Sequence, residues 1–232
     1  SIGRQVCGLS TGEKQTLTTH WENIKTWDPE HPNLYRLTMR LLSTTGDVVH
    51  EITERIGFRT IEFRPEDGIY LNGTRLLVKG TNRHCFDSET GRTISRELSL
   101  KDALLIKQMN MNAVRSHYPP DSHFLEVCDS IGLLYLNELC GWQNSYSTEI
   151  AEKLLPEMMF RDVNHPCIFI WANGNEGGWN TAIDNRFANY DPQKRHVIHP
   201  WADFNGLDTR HYPNSTDNMY RLERGHKVFM MT

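Results

Sequence analysis

Ile168-Phe169-Ile170-Trp171-Ala172-Asn173-Gly174-Asn175-Glu176-Gly177-Gly178 is an apolar run that stops at a carboxylate bracketed by small residues. A short run of this kind is the pattern of a strand buried on both faces of a parallel sheet. A polar pair at its C-terminal end is how an α/β barrel delivers functional groups to its rim. Working upstream, residues 78–84, 113–117 and 133–138 read as buried strands that also end in polar residues. Helices separate them. Ser99 is placed to cap the first, with Asp102 as its third residue and Leu100, Leu104, Ile106 and Met109 on an apolar face. Residues 119–122 open the second, which ends at Ile131 because Gly132 supplies the left-handed position. The third runs over residues 149–163 and stops at Asn164-His165-Pro166. Downstream, residues 195–198, 209–212 and 228–232 continue as a fifth, sixth and seventh strand. Strands at this spacing predict an α/β TIM barrel, incomplete at about seven of its eight strands, over residues 65–232.

The first 64 residues have a different character. Residues 34–41 alternate apolar and polar, Thr45-Gly46-Asp47 signals a turn, and residues 48–55 return as the hairpin partner. Residues 56–59 and 60–63 continue the pattern. Residues 1–64 therefore read as part of a β-sandwich, too short to be a whole one. Residues 69–78 form a second hairpin about Asn72-Gly73, the strongest two-residue turn signal.

Composition narrows the function. A net charge of -4 supplies no basic field for nucleic acid, and no run of 18 apolar residues is present to span a membrane. Five widely spaced cysteines without a C-x-x-C pair argue against a disulfide framework or a zinc ribbon, and read as buried free thiols. No leader segment is legible, and residues 1–6 read as the interior of a strand or loop, so the natural N-terminus is expected to lie further upstream and the compartment is not legible.

The polar strand ends define the chemistry. Cleaving a glycosidic bond with retention needs a general acid on the leaving oxygen and a second carboxylate at the anomeric carbon. Glu176 is the candidate acid, and Asn175 the candidate ligand of the neighbouring sugar hydroxyl. Glu138 ends another strand, either as a second site carboxylate or as a buried partner of Arg115. His84, Arg115 and His117 end the first two strands and converge on the same mouth. Trp142 and Trp201 lie in loops after strands, where an indole can stack on a sugar, whereas Trp171 belongs in the core. Tyr212 is placed to hold a second carboxylate through its hydroxyl. His20, His31, His50 and His226 read as surface residues. A metallohydrolase using His84, His117, Glu138, His196 and His199 would need a His-x-His at the first strand, and Asn82-Arg83-His84 offers one His. A non-catalytic sugar-binding module is the other alternative.

These motifs together resemble glycoside hydrolase family 2, the group of β-galactosidases, β-glucuronidases and β-mannosidases. Trp27-Asp28-Pro29-Glu30-His31-Pro32-Asn33-Leu34-Tyr35 and Ile56-Gly57-Phe58-Arg59 are similar to its immunoglobulin-like domain. Lys79-Gly80-Thr81-Asn82-Arg83-His84, Asn112-Ala113-Val114-Arg115-Ser116-His117-Tyr118-Pro119 and Asn164 through Glu176 are similar to its barrel and acid/base segments. The resemblance implies a retaining β-glycosidase acting on a carbohydrate, with a β-galactoside as first choice and a β-glucuronide as second. It implies Glu176 as acid/base, with Asn175, His84, His117, Glu138, Arg115 and Tyr212 on or near substrate positions. The nucleophile is expected as a Glu just beyond Thr232. It also implies that this chain is a fragment without the family's N-terminal jelly-roll, part of the immunoglobulin-like domain and the end of the barrel. Turnover by this piece alone is then not expected, and its unpaired apolar strand edges predict that it is marginally stable, self-associates into a homo-oligomer, or is the retained portion of a longer polypeptide. Leu139-Cys140-Gly141 departs from the pattern of members that bind Mg²⁺, so no metal or other cofactor is predicted. A periplasmic or secreted bacterial enzyme is implied by resemblance alone.

Overall fold

The computed structural model describes residues 3–8, 10, 12, 15–214, 216 and 228–232. The alternating segment folds as predicted into β1 (Tyr35–Leu42), antiparallel to β2 (Val48–Ile56). The pattern predicts half-burial, but Met39, Leu41, Val48, Val49 and Ile52 are exposed. The hairpin is a sheet of two strands, with no second layer packed on it among the described residues. β3 (Ile61–Arg64) reads as a continuation of that sandwich, yet it pairs antiparallel with β4 (Gly68–Leu71). β4 turns through Asn72 and Gly73, at φ 51° and 76°, into β5 (Thr74–Leu76). Two successive positive φ values are what a two-residue hairpin turn demands, and Asn-Gly meets them at least cost.

The chain then alternates. β6 (Gly80–Asn82), α1 (Arg96–Gln108), β7 (Ala113–Arg115), α2 (Ser122–Ile131), β8 (Leu134–Trp142), α3 (Thr148–Asp162), β9 (Ile168–Asn175) and β10 (Val197–Ile198) follow in order. A 3₁₀ turn (Thr181–Arg186) and α4 (Phe187–Tyr190) lie between the last two strands. The five strands form one parallel sheet in the order β10-β9-β8-β7-β6, the sequential order of a barrel wall. β11 (Asp203–Phe204), β12 (Leu207–Arg210) and β13 (Val228–Met231) form a second sheet, with β12 and β13 parallel. The molecule is thus a sandwich segment followed by an incomplete TIM barrel. The uniform βα spacing breaks after β10, where a tight antiparallel β11–β12 hairpin replaces a helix. The Thr209 hydroxyl closes that junction, with the carbonyls of His199 and Ala202 within reach of its single proton at 2.9 and 2.8 Å. β6 differs from its predicted burial: as the sheet's edge it leaves Gly80 and Asn82 exposed.

The core is the expected one for strands covered on both faces: Ile168, Phe169, Ile170 and Trp171 are all buried, as are Leu134, Tyr135 and Leu136. α1 is displaced from its predicted start. Its N-cap is Ser95, which accepts from the Leu98 amide at 3.1 Å, while Ser99 lies buried within the helix. Its buried face is Ser99, Ala103 and Ile106, whereas Leu100, Leu104 and Met109 face solvent. The small residues let α1 approach α2, where Ser99 Oγ meets His123 Nδ1 at 3.0 Å. Cys85, Cys128 and Cys167 are buried free thiols as predicted, but Cys7 is exposed and Cys140 half-buried. His20, His31 and His50 are exposed, and His226 lies outside the described residues. No helix among the described residues is long and apolar enough to cross a membrane.

Asp129 ties the sandwich segment to the barrel. Its backbone carbonyl accepts from Nε1 of the fully buried Trp27 at 2.8 Å. Its carboxylate accepts from the Cys167 amide at 3.0 Å and pairs with His165 Nδ1 at 2.6 Å. Asp129→Ala leaves a buried amide and a half-buried imidazole without partners. It is expected to lower the unfolding free energy by about 2–4 kcal/mol, read from the urea midpoint at constant m. A change within measurement error would show that the junction does not depend on this carboxylate.

Candidate active site

The strand ends meet around one guanidinium. Arg115, at the end of β7, places Nε 2.9 Å and Nη2 2.7 Å from Glu138 Oε2 on β8. Nη2 also donates to Asn175 Oδ1 on β9 at 2.7 Å. Nη1 lies 3.4 Å from His117 Nε2. All three groups of this triad are buried. Glu138 is the buried partner of Arg115, as one of its two readings has it, and its other oxygen carries no bond among the described residues. Because Asn175 Oδ1 is taken by Arg115, its amide nitrogen is left as the donor, with Glu176 beside it.

Glu176 follows at once. The Asn175 carbonyl accepts from the Gly178 amide at 2.8 Å, with Glu176 at φ 46° and Gly177 at φ 88°. This is a type I′ turn, whose first central position is unfavourable for a residue with a Cβ. The turn is pressed against the end of β8. A Cβ added to Gly141 or Gly174 would collide with the Gly178 carbonyl, and one added to Gly178 with the Trp142 amide. That glycine-on-glycine contact brings Trp142 Nε1 to 2.9 Å from Glu176 Oε2. His211, just after β12, sets Nδ1 3.2 Å from Oε1.

Most of the predicted residues converge. His84 stacks on His117 with centroids 4.8 Å apart and rings within 3° of parallel, and its Nδ1 lies 3.1 Å from the Tyr118 hydroxyl. Trp201 stacks on His211 at 6.0 Å. Tyr212 is not drawn in: it is 95% exposed, and its described ring contact is with His211. Trp171 is core, with Nε1 bonded to Asp191 at 2.9 Å. His211 and Tyr118 escaped the sequence reading. The signal for His211 was its place beside Tyr212 just past β12, where the backbone bends, with Tyr212 at φ 47°, and decides which of the two turns inward.

Of the residues of the rival metal reading, His84, His117 and Glu138 lie together beside Arg115, but His196 and His199 lie elsewhere. His196 lies against Phe63, and His199 is sandwiched between Trp179 and Phe204. Among the described residues, Asp129, His165 and Cys167 are close enough to share an ion. Burial holds the Cys167 thiol well above its usual range, and the Asp129 carboxylate is filled by the bonds given above. That group lies at the opposite end of β9 from Glu176 and serves the domain junction.

Residues 63–196, more than half of the chain, match the family described as "Glycosyl hydrolases family 2, TIM barrel domain", and residues 3–59 match "Glycosyl hydrolases family 2". The chain belongs to glycosyl hydrolases family 2. A β-galactosidase of Bifidobacterium adolescentis is 39% identical over 175 residues, covering 66% of this chain and 16% of that protein. A crystal structure of a β-glycosidase from Bacteroides vulgatus matches with a TM-score of 0.77 at 29% identity, over 89% of this chain and 29% of the other. A family 2 β-galacturonidase from Eisenbergiella tayi, bound to galacturonate, matches with a TM-score of 0.80 at 25% identity, over 94% and 45%. The chain spans about a fifth of the length of the curated relatives it matches.

Within this family 2 barrel the two carboxyls are held in opposite states. Trp142, then His211 and Asn175, donate to Glu176 and keep its pKa below the usual carboxylate range. Burial pushes Glu138 up to about 7 against the pull of Arg115. Burial, with Arg115 and His84 beside it, pushes His117 down to about 4, and burial also lowers His211. Three buried atoms of this cluster carry no hydrogen bond: Glu138 Oε1, His117 Nδ1 and His211 Nε2.

Glu138 is raised from 4.5, so its contribution to stability is complete below that pH and is lost as pH climbs through about 7. His117 is depressed from 6.5, so its contribution is present above that pH and is lost on acidification toward 4. Glu138→Gln removes only the first. Relative to the parent, its stability is expected to improve by about 1–3 kcal/mol between pH 4.5 and 7.5, on top of a constant loss from the Arg115 pairing. Chemical denaturation across that range tests it, and a pH-independent difference would mean that Glu138 stays ionised throughout.

Proposed function

We propose that this chain carries the acid/base half of a retaining β-glycosidase site, with a β-galactoside as substrate. The observation that carries the reading is the Glu176 carboxylate at the C-terminal end of β9, with one oxygen on Trp142 and the other facing His211. In the first half-reaction Glu176 protonates the departing glycosidic oxygen. In the second it takes the proton from the attacking water. The two bonds that favour its anion suit the second task. For the first, exclusion of water by the sugar and a neighbouring nucleophilic carboxylate raise its proton affinity. That nucleophile is a Glu in the position after β13, just beyond Thr232. Asn175 offers its amide N–H to the hydroxyl beside the anomeric carbon, where hydrogen bonds strengthen in the transition state. Glu138 Oε1, His117 Nδ1 and His211 Nε2 are supplied with partners by further sugar hydroxyls. Trp142 and Trp201 provide stacking faces, 65% and 50% exposed. Glu138 and Asn175 occupy Arg115. His117 is neutral above pH about 4. These residues therefore suit a neutral sugar ring better than a uronate.

A β-glucuronide is the second reading. Arg92 favours it: its guanidinium lies 4.4 Å over the Tyr118 ring, beside His84, and has no carboxylate partner among the described residues. An acidic sugar would supply one.

Aryl β-galactosides and β-glucuronides of graded leaving-group acidity, given to the full-length natural polypeptide and its Glu176→Ala variant, separate these readings. For the preferred sugar, kcat/KM is expected to fall about 10²–10⁴-fold for poor leaving groups and far less for dinitrophenyl glycosides, whose departure needs no proton. An equal loss on every leaving group would remove Glu176 from the acid role, and a folded parent inert on both sugars would favour a binding module.

A further inference from the structure

Glu176 occupies a backbone conformation that a residue with a Cβ avoids, so something outside the turn must hold it there. The side chain that closes the loop is Asn173, which is 2% exposed and two residues before the end of β9. Its Oδ1 accepts from the Asn180 amide at 3.4 Å, and its Nδ2 donates to the Asn180 carbonyl at 2.9 Å. The side chain thus mimics a backbone partner and pins residues 174–179 at both ends. Asn180 in turn bonds the Tyr146 carbonyl and Thr148 Oγ1, at 3.0 and 3.2 Å, which fixes the loop to the start of α3.

Asn173 is itself held. Nδ2 also donates to Asp184 Oδ1 at 2.7 Å, and the same oxygen lies 2.9 Å from His199 Nε2. His199 is 4% exposed and follows β10. Its ring is packed between Trp179, at 5.1 Å and 5°, and Phe204, at 3.8 Å and 1°. Trp179 belongs to the loop that carries Glu176, and Phe204 to the β11–β12 hairpin that carries Trp201 and leads to His211. One half-buried carboxylate and one imidazole therefore join the loop that carries Glu176 to the segment that leads to His211. No group in this chain of contacts touches the carboxylate itself.

We propose that Asn173, Asp184 and His199 are positioning residues that hold Glu176 in its left-handed turn, with its oxygens aligned on the leaving-group side of the cleft. This rests on the acid/base reading of Glu176. Loosening the network leaves the fold and the sugar contacts in place but misdirects the proton. The loss therefore appears where a proton is needed and not elsewhere.

The test uses the full-length enzyme, with Asp184→Asn, His199→Phe and Glu176→Gln measured on the same graded series of aryl glycosides. Phenylalanine keeps the stack between Trp179 and Phe204 and removes only the bond to Asp184, so His199→Phe carries the test if Asp184→Asn does not fold. Both positioning variants are expected to lose about 10–100-fold in kcat/KM on poor leaving groups and to stay within a few-fold of the parent on dinitrophenyl glycosides. That is the same slope change as in Glu176→Gln, at smaller amplitude. A uniform loss across the series, or no loss, with Glu176→Gln still selective, overturns the positioning role alone. A Glu176→Gln variant that is itself unselective overturns the acid reading, and the positioning role with it.

Discussion

A single guanidinium sets the geometry of this cleft. Arg115 reaches from β7 to Glu138 on β8 and Asn175 on β9, so three consecutive strand ends are cross-linked by one planar, permanently charged group. The fork of donors dictates more than distance. It takes the carbonyl oxygen of Asn175 and thereby leaves the amide nitrogen as the donor, and it takes one oxygen of Glu138 and leaves the other bare. A lysine at this position would keep the charge and lose the simultaneous, directional bonds. The cost of burying these groups is offset only because each is answered by another. Removing one member would strand the rest without compensation.

The second constraint is steric. β8 and β9 end in glycines that touch each other, and a methyl group at Gly141, Gly174 or Gly178 would meet backbone. This close approach is what lets an indole from one strand end reach a carboxylate from the next. The opposite wall is built by a different device. After β10 the chain turns straight into a short hairpin, which swings Trp201 and His211 over the cleft without an intervening helix. Glu176 is thus held between a wall made by absence of side chains and a wall made by a short connection.

Much of this was legible in the residues. Apolar runs ending in polar pairs placed β7, β8 and β9 and their site groups, because burial on both faces leaves little freedom in composition. Gly132 and Asn72-Gly73 announced their turns because few other residues accept those dihedrals. What misled was local pattern without tertiary context. Ser99 is a good capping residue, but Ser95 takes the cap, and the small face containing Ser99 packs on α2 while Leu100 and Leu104 go to solvent. β3 continues the alternation of the sandwich yet pairs with β4. Past β12 the residue named from sequence is Tyr212, but the chain bends there, with Tyr212 at φ 47°, and it is His211 that faces Glu176. The network from Asn173 through Asp184 to His199 had no sequence signature at all, since its members are separated by 11 and 15 residues and meet only in the fold.

The electrostatics of the two carboxyls complete the picture. Glu138 and Glu176 are the same side chain at the ends of adjacent strands, and their environments divide one proton unequally. Glu138 is shut away from water and has one bare oxygen, so it retains its proton to about pH 7 even beside Arg115, and the negative charge on Glu176 reinforces this. Glu176 is partly open and faces two donors, so it is the anion. The cleft is therefore charged at Glu176 and protonated one strand away. On the proposed reading, a sugar that displaces water from Glu176 and gives Glu138 Oε1 a hydroxyl partner acts on both groups in opposite directions. It removes the solvation that favours the Glu176 anion and relieves the burial that favours the Glu138 acid. On that reading, substrate binding shifts the protonation of both carboxyls together, which ties the orphan oxygen of Glu138 to the strained turn of Glu176.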